Sequence, residues 1–264
     1  IDAPVESVKE MEDQLKQTFH LKEVFVSPNL VDDEEINLRD TCRALAGNLD
    51  KYIIDNTVVA VSWGNTLNCL AGQIQPLKAK DIKVVQLNGG VAKSASSTGA
   101  SQIVDALTMA GHGIGYMFPV PAIVDSKHTS EILQEETQVK NVLRLAKEAE
   151  VSIFSIGALS KDSILYEVEY LKDEDFQALE KNKAVGDIAS RYFDINGNIA
   201  LKELDDRVVG FGLEELREKE WTIAIAVGVN KVDAIIGALR AGFMNVLYTD
   251  EKTAREILNR NLLG

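Results

Sequence analysis

Three short segments carry the side chains that could do chemistry, and each follows an apolar run. In the first, Val58 to Val61 leads through Ser62 and Trp63 into Gly64, Asn65 and Thr66. In the second, Val84 to Leu87 leads into Asn88, Gly89 and Gly90, with Lys93 just beyond. In the third, Trp221 to Val227 leads through Gly228 into Asn230 and Lys231. A β-branched run followed by glycine and a small polar residue reads as a strand turning into a helix. Such a turn points unpaired backbone N–H groups and the positive end of the helix dipole outward, which suits phosphate or carboxylate. Gly64, Asn65, Thr66, Asn88, Gly89, Gly90 and Lys231 are therefore the expected anion-binding residues. Lys231 is the most telling charge among them, because a lysine in a helix's first turn opposes the dipole unless an anion lies nearby.

Each residue also has a plainer reading. Asn65 could simply cap a helix, the Gly89–Gly90 pair could be a flexible turn, and Lys93 reads more readily as an exposed side chain. Ser94, Ser96, Ser97 and Thr98 continue the second loop as further donors or caps. A fourth segment, Gly186 to Gly197, places Asp187 where it could accept hydrogen bonds from sugar hydroxyls. By spacing alone, Asp187 and Arg191 read first as an i, i+4 ion pair on a helix face. Asn196 and Gly197 mark a turn. The glycines of Gly111 to Gly115 follow a helix and enter a strand, the reverse of a dinucleotide fingerprint, and so mark a helix C-terminus.

The elements that must hold these loops alternate. Helical spacing covers Val5–Phe19, Glu34–Tyr52, 66–74, 98–109, Gln138–Ala149, Phe176–Asn182, Leu213–Lys219, Val232–Arg240 and Thr253–Leu262. Strands are expected at Val24–Ser27, 58–62, 84–87, Tyr116–Pro121, Val151–Ile156, 224–227 and Val246–Tyr248. The apolar strands call for a mostly parallel sheet covered on both faces, a Rossmann-like α/β/α sandwich in one domain spanning 1–264. Loops at the carboxyl edge of such a sheet would converge on one ligand site.

Composition narrows the partners. With 28 Lys and Arg against 41 Asp and Glu, the chain carries −13, which excludes a basic stripe tracking nucleic acid and disfavours an anionic membrane surface. The two cysteines, Cys42 and Cys69, fit buried thiols in a reducing cytoplasm. His20, His112 and His128 lack metal-ligand spacing, so no metal or cofactor is expected, and neither a serine-hydrolase elbow nor a Walker loop occurs. The chain starts at Ile1 without methionine and without a signal pattern, which reads as a fragment of a longer protein.

Together these segments resemble the effector-binding domain of SorC/DeoR-type bacterial sugar-responsive transcriptional regulators. The matching residues are Val58–Thr66, Gln86–Gly90, Pro119–Pro121, Ser155–Gly157, Gly186–Asp187 with Arg191–Asp194 and Gly197, Gly228 with Lys231, Ala234 and Leu239, and Leu247–Glu251 with Ala254. The resemblance runs in order through essentially the whole chain. It implies a fold similar to sugar-phosphate isomerases and glucosamine-phosphate deaminases, acting as a sensor. It implies a phosphorylated sugar held by Asn65, Thr66, Gly89, Gly90 and Lys231, with Asp187 on the hydroxyls. It further implies a homodimer or homotetramer, and operator DNA bound through an N-terminal helix-turn-helix outside this chain. Some relatives carry lysine or arginine where Asn88 stands, and asparagine cannot capture an aldehyde as a Schiff base. An isomerase or deaminase on the same fold is the competing expectation, with Asp187 and Asp250 as its candidate acid and base.

Overall fold

The protein is described by a computed structural model in which residues 7–91 and 100–263 are placed. Lys93, Ser94, Ser96, Ser97 and Thr98 lie outside the described residues.

Seven parallel strands form the central sheet: β1 (Glu23–Ser27), β2 (Val58–Val61), β3 (Lys83–Gln86), β4 (Ile114–Tyr116), β5 (Val151–Ser155), β9 (Trp221–Ile225) and β10 (Val246–Asp250). Their order is β1-β10-β9-β5-β2-β3-β4. Successive residues of a strand face opposite sides, and this chain fills both. Val59, Val61, Ile153 and Ile225 pack on one face against helices α2 (Glu34–Tyr52), α3 (Asn65–Ala71) and α4 (Ala100–Ala110). Ala60, Phe154, Ala224 and Leu247 face the other side, under α1 (Val8–Thr18), α6 (Thr137–Glu148), α10 (Val232–Arg240) and α11 (Glu251–Leu263). The three-layer α/β/α sandwich with a mostly parallel sheet is thus present, built by strands apolar on both faces. Capping sets where the helices begin. Ser7 and Glu10 close a reciprocal capping box on α1, and Asp33 accepts the Ile36 N–H at the start of α2.

The chain enters the sheet at an edge with β1 and then jumps to β2. From there it steps outward through β3 and β4, returns to β5 on the other side of β2, and finishes through β9 and β10. Strand order therefore reverses between β2 and β5, and the carboxyl ends there frame a crevice.

Several elements differ from the sequence expectation. The run Tyr116–Pro121 is strand only up to Tyr116, since Pro119 and Pro121 lack the N–H that a ladder needs. Helix α5 (Lys127–Glu135) was not foreseen; it is started by Ser126, whose hydroxyl accepts the Thr129 N–H. Leu213–Glu218 is 3-10 rather than α-helix. The largest difference is a second, three-stranded antiparallel sheet, β6 (Gly157–Ala158), β7 (Ala184–Ile188) and β8 (Arg191–Asp194), in the order β6-β7-β8. Short helices α7 (Ile164–Glu167), α8 (Asp173–Lys181) and α9 (Lys202–Asp205) surround it. Leu165, Phe176, Leu179, Tyr192 and Leu204 form its own small core. The i, i+4 helix pair expected of Asp187 and Arg191 is therefore replaced by a β-hairpin. Its two turn residues, Ala189 and Ser190, have φ of 52° and 70°, the left-handed backbone of a tight two-residue turn.

Candidate functional site

A cavity of about 300 Å³ opens at the reversal of strand order. Each wall comes from the end of a strand. The β2–α3 turn supplies Ser62, Trp63, Gly64, Asn65 and Thr66, and the chain after β3 supplies Asn88. The segment after β5 supplies Ser155 to Ala158 with Ser160, Asp162 and Ser163. The β7–β8 hairpin supplies Asp187 and Ser190, and the turn after β9 supplies Asn230 and Lys231. Hydroxyls, amides, one buried carboxyl and one ammonium thus converge on a concave, partly apolar space, the usual make-up of a small-molecule site.

The β2–α3 turn takes the expected form. Gly64 sits before the helix with φ of 133°, a conformation that a side chain would strain, and no side chain caps the first turn of α3. The N–H groups there are left for another acceptor. Trp63 folds back, and its indole N–H donates to the Gly89 carbonyl at 2.8 Å, tying this turn to the loop after β3.

Lys231 ends a 3-10 turn, Val229–Lys231, immediately before α10. Its ammonium is desolvated, which lowers its pKa, and only partly compensated by the charges of Glu34 and Asp187. Among the described residues no hydrogen bond or ion pair engages it. Asp187 stands at the end of β7, where its Oδ2 accepts the Ser190 N–H at 3.0 Å. Burial pushes its carboxyl up to about 6, against the lowering effects of that hydrogen bond and of Lys231. A desolvated cation and a reluctant carboxylate share one cavity, which leaves each short of polar partners.

The structure brings Gly64, Asn65, Thr66, Asn88, Asp187 and Lys231 together on one cavity wall or another. It does not bring Gly89 and Gly90 there. The Gly89 N–H donates to the Val209 carbonyl and the Gly90 N–H to the Val120 carbonyl, so both amides are spent inside the protein. Glycine is needed at 89 because a Cβ would lie 2.4 Å from the Pro121 carbonyl oxygen. The close backbone approach foreseen there is to the chain at Val120 and Pro121, not to the cavity.

Asp250 also lies elsewhere. It ends β10, is buried, and accepts a hydrogen bond from Asn29 at 2.8 Å while lining a different, smaller hollow. Asp187 and Asp250 are thus not a carboxylate pair in one site. Arg191 does not pair with Asp187 either; it binds the Asp205 carboxylate at 2.6 Å and the carbonyls of Phe211 and Gly210. Among the described residues no cluster of His, Cys, Asp and Glu could hold a metal ion. The sequence reading missed the hydroxyls of Ser62, Ser160, Ser163 and Ser190. Single serines in loops carry no spacing signal, and only the meeting of the two sheets at this cavity collects them.

The Sugar-bind family model, described as a sugar-binding domain, matches residues 3–259. The chain is 31% identical over 256 residues to the deoxyribonucleoside regulator of Bacillus subtilis, covering 97% of this chain and 82% of that protein. It is 31% identical over 265 residues to the transcriptional regulator LsrR of Escherichia coli K12, covering 98% and 80% of the two chains. Among solved structures, a DeoR family transcriptional regulator from Listeria monocytogenes superimposes with a TM-score of 0.87 at 27% identity, over 95% of this chain and 99% of that one. The full-length sorbitol operon regulator SorC of Klebsiella pneumoniae, at 23% identity and a TM-score of 0.88 over 98% and 83% of the chains, shares the fold.

Proposed function

The chain belongs to the sugar-binding domain family of DeoR/SorC-type bacterial transcriptional regulators, and from that premise we propose that its cavity binds a phosphorylated sugar whose occupancy sets operator affinity. The observation that carries this reading is the desolvated Lys231 ammonium, unpaired among the described residues, in a cavity shared with the uncapped first turn of α3. A phosphate there would gain a charge-assisted contact from Lys231, with Gly64, Asn65 and Thr66 supplying N–H and hydroxyl donors. Asp187, on the β7–β8 hairpin that lines the same cavity, accepts hydrogen bonds from sugar hydroxyls. Gly89 and Gly90 act indirectly, by fixing the loop that carries Asn88.

The domain is a sensor rather than an enzyme in this proposal. Proton abstraction at a sugar carbon needs a base and an acid partner around one substrate. Asp187 is the cavity's buried carboxyl, and Asp250 lies outside it. The single domain reads DNA through a separate N-terminal segment, acts in the cytoplasm and assembles as a dimer or tetramer. Among the described residues no helix is long and apolar enough to cross a membrane.

A thermal-shift screen of sugar phosphates, each beside its unphosphorylated parent, tests the reading. A ligand that binds only the folded state raises the midpoint, so one phosphosugar should shift it while its parent does not. In Lys231→Ala the same ligand should lose more than about 1.5 kcal/mol of binding by calorimetry. Unchanged affinity removes Lys231 from the phosphate, and turnover of the hit restores the enzyme reading.

A further inference from the structure

We propose that Cys42 and Cys69 form a dithiol redox site, in which a hydroperoxide oxidises Cys69 and Cys42 resolves it as a disulfide joining α2 to α3 beside the effector cavity. The inference stands on the two thiols and their packing, and is independent of which ligand the cavity holds.

Two helices bring the thiols together. Cys42 lies in α2 and Cys69 in α3, and these helices pack on each other over the same face of the central sheet. Thr66 and Cys69 are three residues apart, so they share one side of α3. The Cys42 sulfur lies 3.7 Å from the Thr66 carbonyl oxygen, which sets it over that side. Its S–H has a second acceptor there in the Cys69 sulfur, with which it shares a hydrogen bond.

The two thiols differ in the way this chemistry needs. Cys42 is fully buried, whereas Cys69 is only half-buried. The hydrogen bond from Cys42 holds the Cys69 thiol down to about 7, with the charge of Arg39 assisting against desolvation and Glu35. Donating that bond, together with burial, keeps Cys42 protonated well above the ordinary thiol range. Reactive cysteines sit in partly exposed, electropositive surroundings, and buried ones are otherwise inert. An accessible thiolate beside a second, resolving thiol is the arrangement of a redox sensor.

Two steps complete the reaction. The Cys69 thiolate attacks one oxygen of the peroxide, the O–O bond breaks, and the hydroxide released takes the proton that Cys69 gave up and leaves as water. Cys69 is thereby oxidised by two electrons to a sulfenic acid. Cys42 then gives up its proton, its sulfur bonds to the Cys69 sulfur, and the S–O bond breaks to release a second water. Two thiols and one peroxide become one disulfide and two waters. Asn65 and Thr66, one turn before Cys69, line the cavity. A disulfide of about 2.05 Å is shorter than any hydrogen bond between sulfurs, so closing it draws α3 toward α2 and shifts that turn. Lys231, which lines the same cavity, is near enough for its charge to act on Cys42. In a reducing compartment the bond is transient and reopens by exchange with small thiols.

Mass spectrometry of the whole chain decides it. The reduced chain is treated with hydrogen peroxide, then with N-ethylmaleimide, and mapped without reductant. Its mass should fall by two hydrogen atoms, neither thiol should be alkylated, and the Cys42 and Cys69 peptides should be joined within one chain until dithiothreitol is added. In Cys42→Ser the reaction should stop at a Cys69 sulfenic acid captured by dimedone. In Cys69→Ser, Cys42 should oxidise at least about tenfold more slowly. Two alkylatable thiols after the peroxide has consumed an equal concentration of glutathione, or joining only between chains, overturns the site. So does Cys42 oxidation at an undiminished rate in folded Cys69→Ser. The unsubstituted chain gives the first two results, so a variant that fails to fold leaves the experiment decisive. Hydrogen exchange in 62–67 should slow by about threefold or more in the oxidised chain, and unchanged exchange there overturns the link to the cavity.

Discussion

Asp187 pays for its place in the cavity, and that cost is measurable. An acid whose folded pKa exceeds its unfolded value binds more protons when folded. The folded state is then favoured at low pH and loses stability as pH rises from about 4 through about 6. The rise from 3.8 to about 6 corresponds to a penalty of up to about 3 kcal/mol at neutral pH. Asparagine keeps the oxygen that accepts the Ser190 N–H and removes the charge. Asp187→Asn should therefore raise the melting midpoint of the ligand-free domain at pH 7.5, with the gain vanishing near pH 4, while weakening sugar binding. Equal stabilisation at both pH values would show that burial of the carboxylate is not the cause. Such a residue, kept at the expense of stability, is what a binding role predicts, because function routinely holds groups the fold would discard. In the sequence, Asp187 was visible as a candidate, but its partner was not. The i, i+4 spacing to Arg191 suggested a helix, and nothing in Ala189 and Ser190 announces a tight hairpin, which ordinarily carries glycine or asparagine at such backbone angles.

At the level of elements, the second sheet places Asp187, and two glycines let it dock. A Cβ at Gly186 would lie 2.1 Å from the Gly157 carbonyl oxygen and 2.5 Å from the Ala234 Cβ on α10. Backbone lies on one side and a rigid helix on the other, so neither contact relaxes easily. Gly186→Ala should cost about 1–3 kcal/mol of stability by denaturant titration and weaken phosphosugar binding, because it displaces Asp187 one residue on. A variant of unchanged stability would mean that β7 is free to shift on β6 and α10. The contrast with the central sheet explains what could be read in advance. Six of the seven parallel strands announce themselves as apolar runs, since both faces are buried under helices; the edge strand β4 is three residues long and largely exposed, and the sequence placed it at Tyr116–Pro121 instead. Strands β6 to β8 span two to five residues each, divide their buried residues between the small core and the main one, and mix glycine, aspartate and arginine with apolar residues, so no period stands out. Helix α5 was missed for a related reason: Lys127 to Glu135 buries only Ser130 among its residues, and the apolar stripe that marks an amphipathic helix is absent.

At the scale of the whole molecule, the cavity lies where two sheets meet. The β2–α3 turn and Lys231 belong to the central sheet, whereas Asp187 and Ser190 belong to the hairpin, and the segment after β5 runs from one to the other. A ligand touching Lys231, Asn88 and Asp187 together would tie the small sheet to the large one. The central sheet needs no such tie, being clamped by two extensive cores. The small sheet reaches the main core through Ile188 and Phe193, but its other face covers only a lesser core and its hairpin bends through two left-handed residues, and local opening draws on regions with fewer buried apolar contacts. Hydrogen exchange at labelling times of seconds to minutes should accordingly show effector-induced protection in 62–67, 155–165, 184–190 and 228–231. The helix α1 and strand β1, on the far edge, should exchange as before. Protection confined to 62–67 and 228–231 would mean that the ligand is held by the phosphate end alone, with the small sheet a bystander. Protection reaching the hairpin would make the relative position of the two sheets the quantity that sugar binding fixes, and hence the coordinate through which an attached DNA-binding segment could be told that the sugar is present.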